Sequence, residues 1–253
     1  GLFASPAIVG IYYVAQQIAS LPQKLKTSFD PILGPVITRN LQEKNYKEIA
    51  KQVGQVGFWI IAAQAGIALA LGIPGEAVMG LVGPEFVGGA LAAAFLLAAE
   101  VAASTAVVSE SALVYMARHR NLLISLAMLA LQAILSVAFI LSLDYLPIEP
   151  SKKGLVQAAA VALALMLSLL VGSIIKSRLL SHLLGERIKV LRSALIWAIA
   201  AATLLGIGAT YLPEWVELAF GVPGILALYC FVIWTKGFGP DDRALFRKAE
   251  KLD

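Results

Sequence analysis

Seven long apolar stretches, separated by short segments that hold most of the charged residues, dominate the pattern along this chain. Six of them contain no Asp, Glu, Lys or Arg, and the remaining one carries only Glu100 and Glu110. Because about 20 apolar residues in a helix cross a hydrocarbon core about 30 Å thick, the pattern predicts seven transmembrane helices. The predicted crossings lie near residues 6–38, 48–73, 87–117, 121–146, 154–181, 190–212 and 215–236, and residues 237–253 form a tail.

The composition supports this prediction, because 59% of the residues are hydrophobic and only 14% are charged. An ordinary soluble domain has about 25% charged residues. A membrane β-barrel would show segments of about ten residues with alternating polarity, whereas these apolar runs are continuous. We therefore expect an all-α fold, a polytopic bundle of transmembrane helices. The single cysteine, Cys230, lies within an apolar run and is expected to be a small packing residue.

The positive charges predict an orientation for this bundle. With seven crossings, three of the gaps fall on the same side as the C-terminal tail, and these gaps and the tail together hold sixteen of the twenty basic residues. Two others, Lys152 and Lys153, lie in the opposite gaps, and Lys24 and Lys26 lie within the first helix. Since Lys and Arg are in excess in short cytoplasmic loops, we expect a cytoplasmic C-terminus. After the last crossing, Asp241 and Asp242 can cap a short basic helix over 243–252, the alternative being a solvated tail.

The first apolar segment combines three prolines with many polar residues. From Pro6 to about residue 40 it reads as one long helix, interrupted by Pro22, Pro31 and Pro35. Proline removes a backbone donor and bends a helix, and in a membrane the freed carbonyl groups need other partners, often beside a water-filled cavity. The candidate substrate-binding residues around the first break are Gln16, Gln23, Lys24, Lys26 and Asp30.

Two interpretations of the charged residues in this group stay open. Lys24 and Lys26 can line a cavity and attract an anionic head group such as a pyrophosphate, because ionisable residues inside a membrane are commonly functional. Alternatively, both lysines extend to the membrane surface and Asp30, one helical turn from Lys26, pairs with it.

Glu100 and Glu110 are candidates for proton coupling, since a carboxyl group in a membrane can exchange protons as a cavity opens to each side in turn. Glu100 lies near the middle of its segment, and the alternative is an acid that is hydrogen-bonded to a glutamine of a neighbouring helix. Glu110 lies closer to the end of the segment, and Arg118 or Arg120 can be its partner. Arg118-His119-Arg120 itself is expected to form the turn between two helices, and Lys176 is interpreted as a further signal of orientation.

The sequence lacks the motifs that mark several kinds of enzyme chemistry. The sequence contains no phosphate-binding Gly-x-x-x-x-Gly-Lys-Ser/Thr loop, no His-Glu-x-x-His pair and no Gly-x-Ser-x-Gly nucleophile elbow. We therefore expect neither an enzyme nor a metal or cofactor site. The net charge of +4 is explained by the basic residues of the predicted cytoplasmic segments, so nucleic acid is not an expected partner. The opening residues resemble neither a start nor a signal peptide, and we expect the chain to be the C-terminal part of a longer protein.

Four short motifs, in their order and spacing, follow the pattern of a known family. The motifs are Pro6-Ala-Ile-Val-Gly-Ile-Tyr-Tyr-Val-Ala15, Leu21-Pro22, Pro31-Ile-Leu-Gly-Pro35 and Gly80-Leu-Val-Gly-Pro-Glu-Phe86. With these motifs the sequence resembles the C-terminal half of the polysaccharide transporter (Wzx-type) branch of the multidrug/oligosaccharidyl-lipid/polysaccharide flippase superfamily. The similarity covers residues 1–145, and afterwards only the hydropathy matches.

The resemblance implies a two-lobed carrier of about fourteen crossings, whose N-terminal lobe precedes the seven crossings of this chain. It also implies alternating access and, as cargo, a lipid-linked oligosaccharide on undecaprenyl pyrophosphate, flipped across the bacterial inner membrane for lipopolysaccharide or exopolysaccharide biosynthesis. Polysaccharide assembly proteins and membrane lipid are then the expected partners. Lys24 and Lys26 fall on the cavity-lining first helix of the second lobe in that family. Two alternatives stay open: an ion-coupled exporter of the multidrug and toxin extrusion type, and a scaffold, polymerase or ligase without transport.

Overall fold

The computed structural model describes residues 5–27, 30–239 and 242, with side chains for these residues apart from 25–27, 30–33, 35 and 36. Every described element is a helix, which confirms the predicted all-α fold class. The helices are α1 (Pro6–Thr27), α2 (Asp30–Gln42), α3 (Tyr46–Gly72), α4 (Gly75–Gly80), α5 (Ala90–Met116), α6 (Arg118–Ser142), α7 (Pro150–Leu184), α8 (Ser193–Ala209), α9 (Glu214–Val216) and α10 (Val222–Gly237). Short 3-10 turns precede α5 and follow α6, and a π-helical turn, Glu217–Gly221, joins α9 to α10.

Five of these helical segments are long and apolar enough to cross a membrane, so the protein is a multi-pass membrane protein. They correspond to the predicted crossings 48–73, 87–117, 121–146, 154–181 and 215–236. The predicted crossing 190–212 is the shorter apolar helix α8, of 17 residues. The predicted single helix from Pro6 to about residue 40 is helical over Pro6–Thr27 (α1) and Asp30–Gln42 (α2), and residues 28 and 29 between them lie outside the described residues. α1 continues through Pro22, and Pro31 and Pro35 lie within α2. The basic helix predicted over 243–252 lies outside the described residues.

Successive connections between the long helices lie at opposite ends of the bundle. At one end, which we call the basic end, Arg192 at the start of α8 donates a 2.8 Å hydrogen bond to the carbonyl oxygen of Gly237 at the end of α10. At the other end, which we call the acidic end, the break after α3 lies against the start of α5, where a Cβ on Gly75 would be 3.3 Å from the Cβ of Ala90. Basic residues of two predicted cytoplasmic gaps lie together at the basic end, where Lys47, Lys51, Lys189 and Arg192 line one cleft.

α5 lies at the centre of the bundle. It packs against α7 along most of its length, and also against α3 and α1. α8 and α10 form a second pair that packs against α3. α6 packs on the outside of α7, and among its residues only Asn121 is buried. Its large apolar side chains, such as Leu129 and Ile134, are exposed, as expected for a helix that meets lipid.

α3 carries small side chains at Ala62, Gly66 and Ala70, a spacing that favours the close approach of membrane helices. All three residues are buried. A Cβ added to Gly66 would lie 3.0 Å from two ring carbons of Tyr229, which is itself buried on α10. A Cβ at residue 66 would therefore be a tight fit against this ring, and a larger side chain would push the two helices apart.

We expect Gly66→Leu to lower the free energy of unfolding by about 1–3 kcal/mol, because an overpacked core must shift backbone or side chains. Gly208→Leu is the matched control, since a Cβ there meets nothing within 4 Å. Chemical denaturation of the purified protein in mixed micelles measures both values. Equal effects of the two substitutions would contradict the close packing of α3 against α10.

Candidate functional site

The exposed side of α1 carries a polar stripe. Ala15, Ala19 and Pro22 form the buried side of this helix. On the opposite side Tyr13, Gln16 and Lys24 are exposed and Ser20 is half-buried. Spacings of three and four residues place these four side chains on one helical face, and we call them the α1 polar stripe. The stripe therefore points away from the core of the bundle in which α1 is packed.

The structure places the five predicted substrate-binding residues as follows. Gln16 and Lys24 belong to the α1 polar stripe, and Gln23, also exposed, lies at its edge. Lys26 lies in α1 and Asp30 begins α2, but their side chains are outside the described set. The predicted pairing of Lys26 with Asp30 stays a prediction. Three of the five residues are thus brought to one side of one helix.

Gln64 links the proline-containing region of α1 to α3 and α5. Its side chain is only 1% exposed, and its Nε2 atom donates a 3.3 Å hydrogen bond to the carbonyl oxygen of Pro22. The hydroxyl group of Ser104 on α5 donates to Gln64 Oε1. Polar groups buried in a membrane bundle must be satisfied by one another, so this link fixes three helices at the level of Pro22.

Glu100 lies one helical turn from this link. It is ten residues into α5, about 15 Å along the helix axis, and its side chain is half-buried. The Ser104 hydroxyl is also 3.1 Å from the backbone carbonyl oxygen of Glu100. Gln64, one of the glutamines expected as an alternative partner of Glu100, bonds instead to Pro22 and Ser104. A role of Glu100 in proton coupling stays a prediction.

Glu110 forms an ion pair with Lys176, 2.9 Å from carboxylate oxygen to Nζ. Lys176 is buried, with 3% of its side chain exposed, and it also donates a 3.0 Å hydrogen bond to Ser125 of α6. Asn121 donates to the other Glu110 oxygen at 3.3 Å. The partner of Glu110 in the structure is therefore neither Arg118 nor Arg120, and the pair joins α5, α6 and α7.

Lys176 was not among the predicted site residues. Its position beside a predicted cytoplasmic gap was explained by the excess of basic residues that sets the orientation of the protein in the membrane. A signal for its burial is present in the sequence of α7. Ser168, Gly172, Lys176 and Leu180 recur at intervals of four residues, so they fall on one side of the helix, and all four are buried. A lysine on the small-residue side of a helix is placed to face a neighbouring helix rather than solvent.

The buried carboxylate of Asp242 fixes the position of the residues that follow α10. The Asp242 side chain is fully buried, accepts hydrogen bonds from Arg192 at 2.5 Å and Gln55 at 2.8 Å, and accepts another from the backbone N–H group of Gly239 at 2.8 Å. Arg192 also stacks over the ring of Phe58, 4.2 Å from its centroid. These contacts tie the start of α8 and the residues after α10 to α3.

The pKa of Asp242 reflects these contacts. Burial alone would raise it, but the hydrogen bonds from Arg192, Gln55 and Gly239 and the charge of Arg192 lower the pKa to about 2. A carboxyl group with a depressed pKa contributes stability that is fully present above its ordinary value, near pH 4, and lost as the pH falls through about 2. Asp242 is therefore ionised and paired over the whole physiological range.

Comparison of the chain with models of protein families, with curated proteins and with solved structures gives no match. Among residues 5–27, 30–239 and 242, no group of three or more His, Cys, Asp or Glu side chains is arranged to hold a metal ion.

We expect Lys176→Met to lower the free energy of unfolding by about 1–3 kcal/mol, because the Glu110 carboxylate then loses its countercharge and a hydrogen bond. The carboxylate is 42% exposed, so water relieves part of the loss. Lys153→Met is the matched control: its 2.7 Å pair with Asp144 is exposed, and such pairs contribute about 0–1 kcal/mol.

The double variant Lys176→Met/Glu110→Gln is expected to recover most of the lost stability, because no uncompensated charge remains. Denaturation of the three variants in the same micelles gives the comparison. If Lys176→Met and Lys153→Met lose equal stability, the Glu110–Lys176 pair does not join the three helices.

Proposed function

We propose that this chain is the C-terminal lobe of a flippase that moves lipid-linked oligosaccharide across the bacterial inner membrane. The cargo is of the undecaprenyl-pyrophosphate type, and it serves lipopolysaccharide or exopolysaccharide biosynthesis. The observation that carries this proposal is the α1 polar stripe. It is a row of hydrogen-bonding side chains on an exposed helix face, whereas the exposed face of α6 is apolar.

A polar stripe at membrane depth is costly against lipid, because hydrocarbon offers no hydrogen-bond partners. Such residues commonly line a water-filled path for a substrate. A flippase needs this path, since the sugar groups of its cargo must cross the membrane while its lipid chain stays in hydrocarbon. Gln16 and Ser20 suit sugar hydroxyl groups, and Lys24 suits the pyrophosphate because an ammonium group donates strong hydrogen bonds to phosphate oxygens.

The position of the stripe fits a second lobe on the other side of the path. α1 packs on its own bundle through Ala15 and Ala19, on the side of the helix opposite the stripe. The N-terminal lobe implied by the resemblance would face the stripe across the cavity. In alternating access, movement of the two lobes then exposes the stripe first to one side of the membrane and then to the other.

The motifs behind the resemblance lie at distinct places in the fold. The opening motif, Pro6–Ala15, is the first half of α1 and supplies Tyr13 to the stripe. The motif Gly80–Phe86 forms the turn between α4 and the 3-10 helix that begins at Pro84. The basic end supports the proposed orientation, with that end and the C-terminus in the cytoplasm.

We expect Lys24→Ala to reduce the surface polysaccharide of the host cell by about tenfold or more, because a hydrogen bond to a charged group contributes about 1.5–3 kcal/mol. Lys152→Ala is the matched control, since Lys152 is exposed at the acidic end and pairs with Glu149 at 3.3 Å. Surface polymer is measured by glycan-specific labelling, with equal protein in the membrane checked by immunoblot.

Normal polymer display by the Lys24→Ala strain, with protein at the control level, would contradict the role of the stripe in moving this cargo. Deletion of the gene distinguishes a flippase for lipid-linked oligosaccharide from an exporter of small molecules. Loss of polymer supports the flippase, whereas intact polymer with altered drug tolerance would instead indicate an exporter of the multidrug and toxin extrusion type.

A further inference from the structure

A cleft of about 420 Å³ lies at the acidic end, where several helix ends meet. The end of α3, the start of α5, the residue after α8 and the π-helical turn before α10 all contribute to its walls. Its polar side chains are Glu76, Thr210 and Glu217, and backbone from Gly72 to Gly75 lines it as well. The cleft is near the lower limit for a small-molecule pocket, so its size favours an ion with its water over a larger ligand.

Glu217 is the unusual residue of this cleft. Only 7% of it is exposed, and within the described part of the chain its carboxylate forms neither a hydrogen bond nor an ion pair. Its carboxylate oxygens are open to the cleft. A carboxylate confined in this way is costly without a partner, and such groups in native proteins nearly always have a protein, water or ion partner. A second feature marks the same residue, since it begins the π-helical turn, and such turns occur frequently at functional sites.

The charges around Glu217 are negative. Glu76 lines the same cleft, and Glu76 and Glu214 are both close enough to Glu217 to repel its charge. No Lys or Arg is among the residues that line the cleft. Lys152 and Lys153, the basic residues of the acidic end, pair instead with Glu149 and Asp144. The repulsion between these carboxylates is therefore left without a nearby counter-charge.

Neutral oxygen atoms complete the set of possible ligands. The hydroxyl of Thr210 donates to the carbonyl oxygen of Ile207, which leaves the lone pairs of the hydroxyl oxygen available. α3 ends at Gly72 beside the cleft, and the last carbonyl groups of a helix lack helical donors and carry the negative end of its dipole. Carboxylate, hydroxyl and carbonyl oxygens are the ligands that hard cations prefer.

We propose that this cleft is a binding site for a hard divalent cation of the Ca²⁺ class, held by Glu217 and Glu76 with oxygen atoms of Thr210 and the end of α3. Two carboxylates balance the charge of one divalent ion, and water completes the coordination. The ion would connect α4, the end of α8 and the turn before α10. With two carboxylate ligands the expected affinity is weak, about 0.1–1 mM, as in Ca²⁺ sites outside the cell.

Calcium titration of the purified full chain tests this site, with the melting temperature Tm and calorimetric heats as readouts. At about ten times the half-saturating Ca²⁺ concentration, Tm is expected to rise by about 4 °C, because a ligand that binds only the folded state stabilises it. Glu217→Gln is expected to lose this rise, and its Tm without Ca²⁺ should be no lower than that of the unchanged protein. Glu76→Gln is expected to weaken Ca²⁺ binding about tenfold.

Glu85→Gln is the matched control, because Glu85 is an exposed acid at the same end that does not line the cleft. It should respond to Ca²⁺ as the unchanged protein does. The proposal is overturned if Ca²⁺ gives neither heat nor a rise in Tm, if both Glu217→Gln and Glu76→Gln respond fully, or if NaCl at equal ionic strength gives the same rise. The outcome is independent of the cargo, since no transport is measured.

Discussion

Hydrocarbon offers no hydrogen-bond partner to a polar side chain, and this constraint decides where the polar residues of the bundle lie. Lys176 is buried because Glu110, Asn121 and Ser125 from two other helices surround it and its ion pair. Gln64 is buried because its side-chain amide is hydrogen-bonded to the carbonyl oxygen of Pro22 and to the hydroxyl group of Ser104. Each cluster joins three helices, so the side chains that are most costly to bury are also those that fix the positions of the helices relative to one another.

The α1 polar stripe departs from this rule, and the proposed function rests on that departure. Its side chains face away from the bundle, and hydrogen bonds such as that from Gln64 to Pro22 lie on the other side of α1. A helix with one buried apolar side and one unburied polar side requires water, or another polar surface, along the second side. In a carrier with two lobes, that requirement is met by the cavity between them.

Much of the fold could be predicted from the sequence, because runs without charge and gaps with basic residues are local signals. The crossings at 121–146 and 154–181 agree with α6 and α7 to within a few residues. The continuation of α1 through Pro22 was not predicted, since three prolines give no indication of which one the helix tolerates. The pairing of Glu110 with Lys176 was also missed, because the sequence does not specify which helices become neighbours.

Whether the α1 polar stripe borders water inside the membrane is tested most directly by the reaction of a thiol with a membrane-impermeant maleimide. Cys230, an exposed native cysteine, is first replaced by serine, and a cysteine is then placed at Gln16 or, as the lipid-facing control, at Ile134 of α6. Because a maleimide reacts with the thiolate, which needs water, the Gln16→Cys protein should label at least about tenfold faster than the Ile134→Cys protein. Equal, slow labelling of the two proteins in intact membranes would contradict the cavity and the transport path along α1.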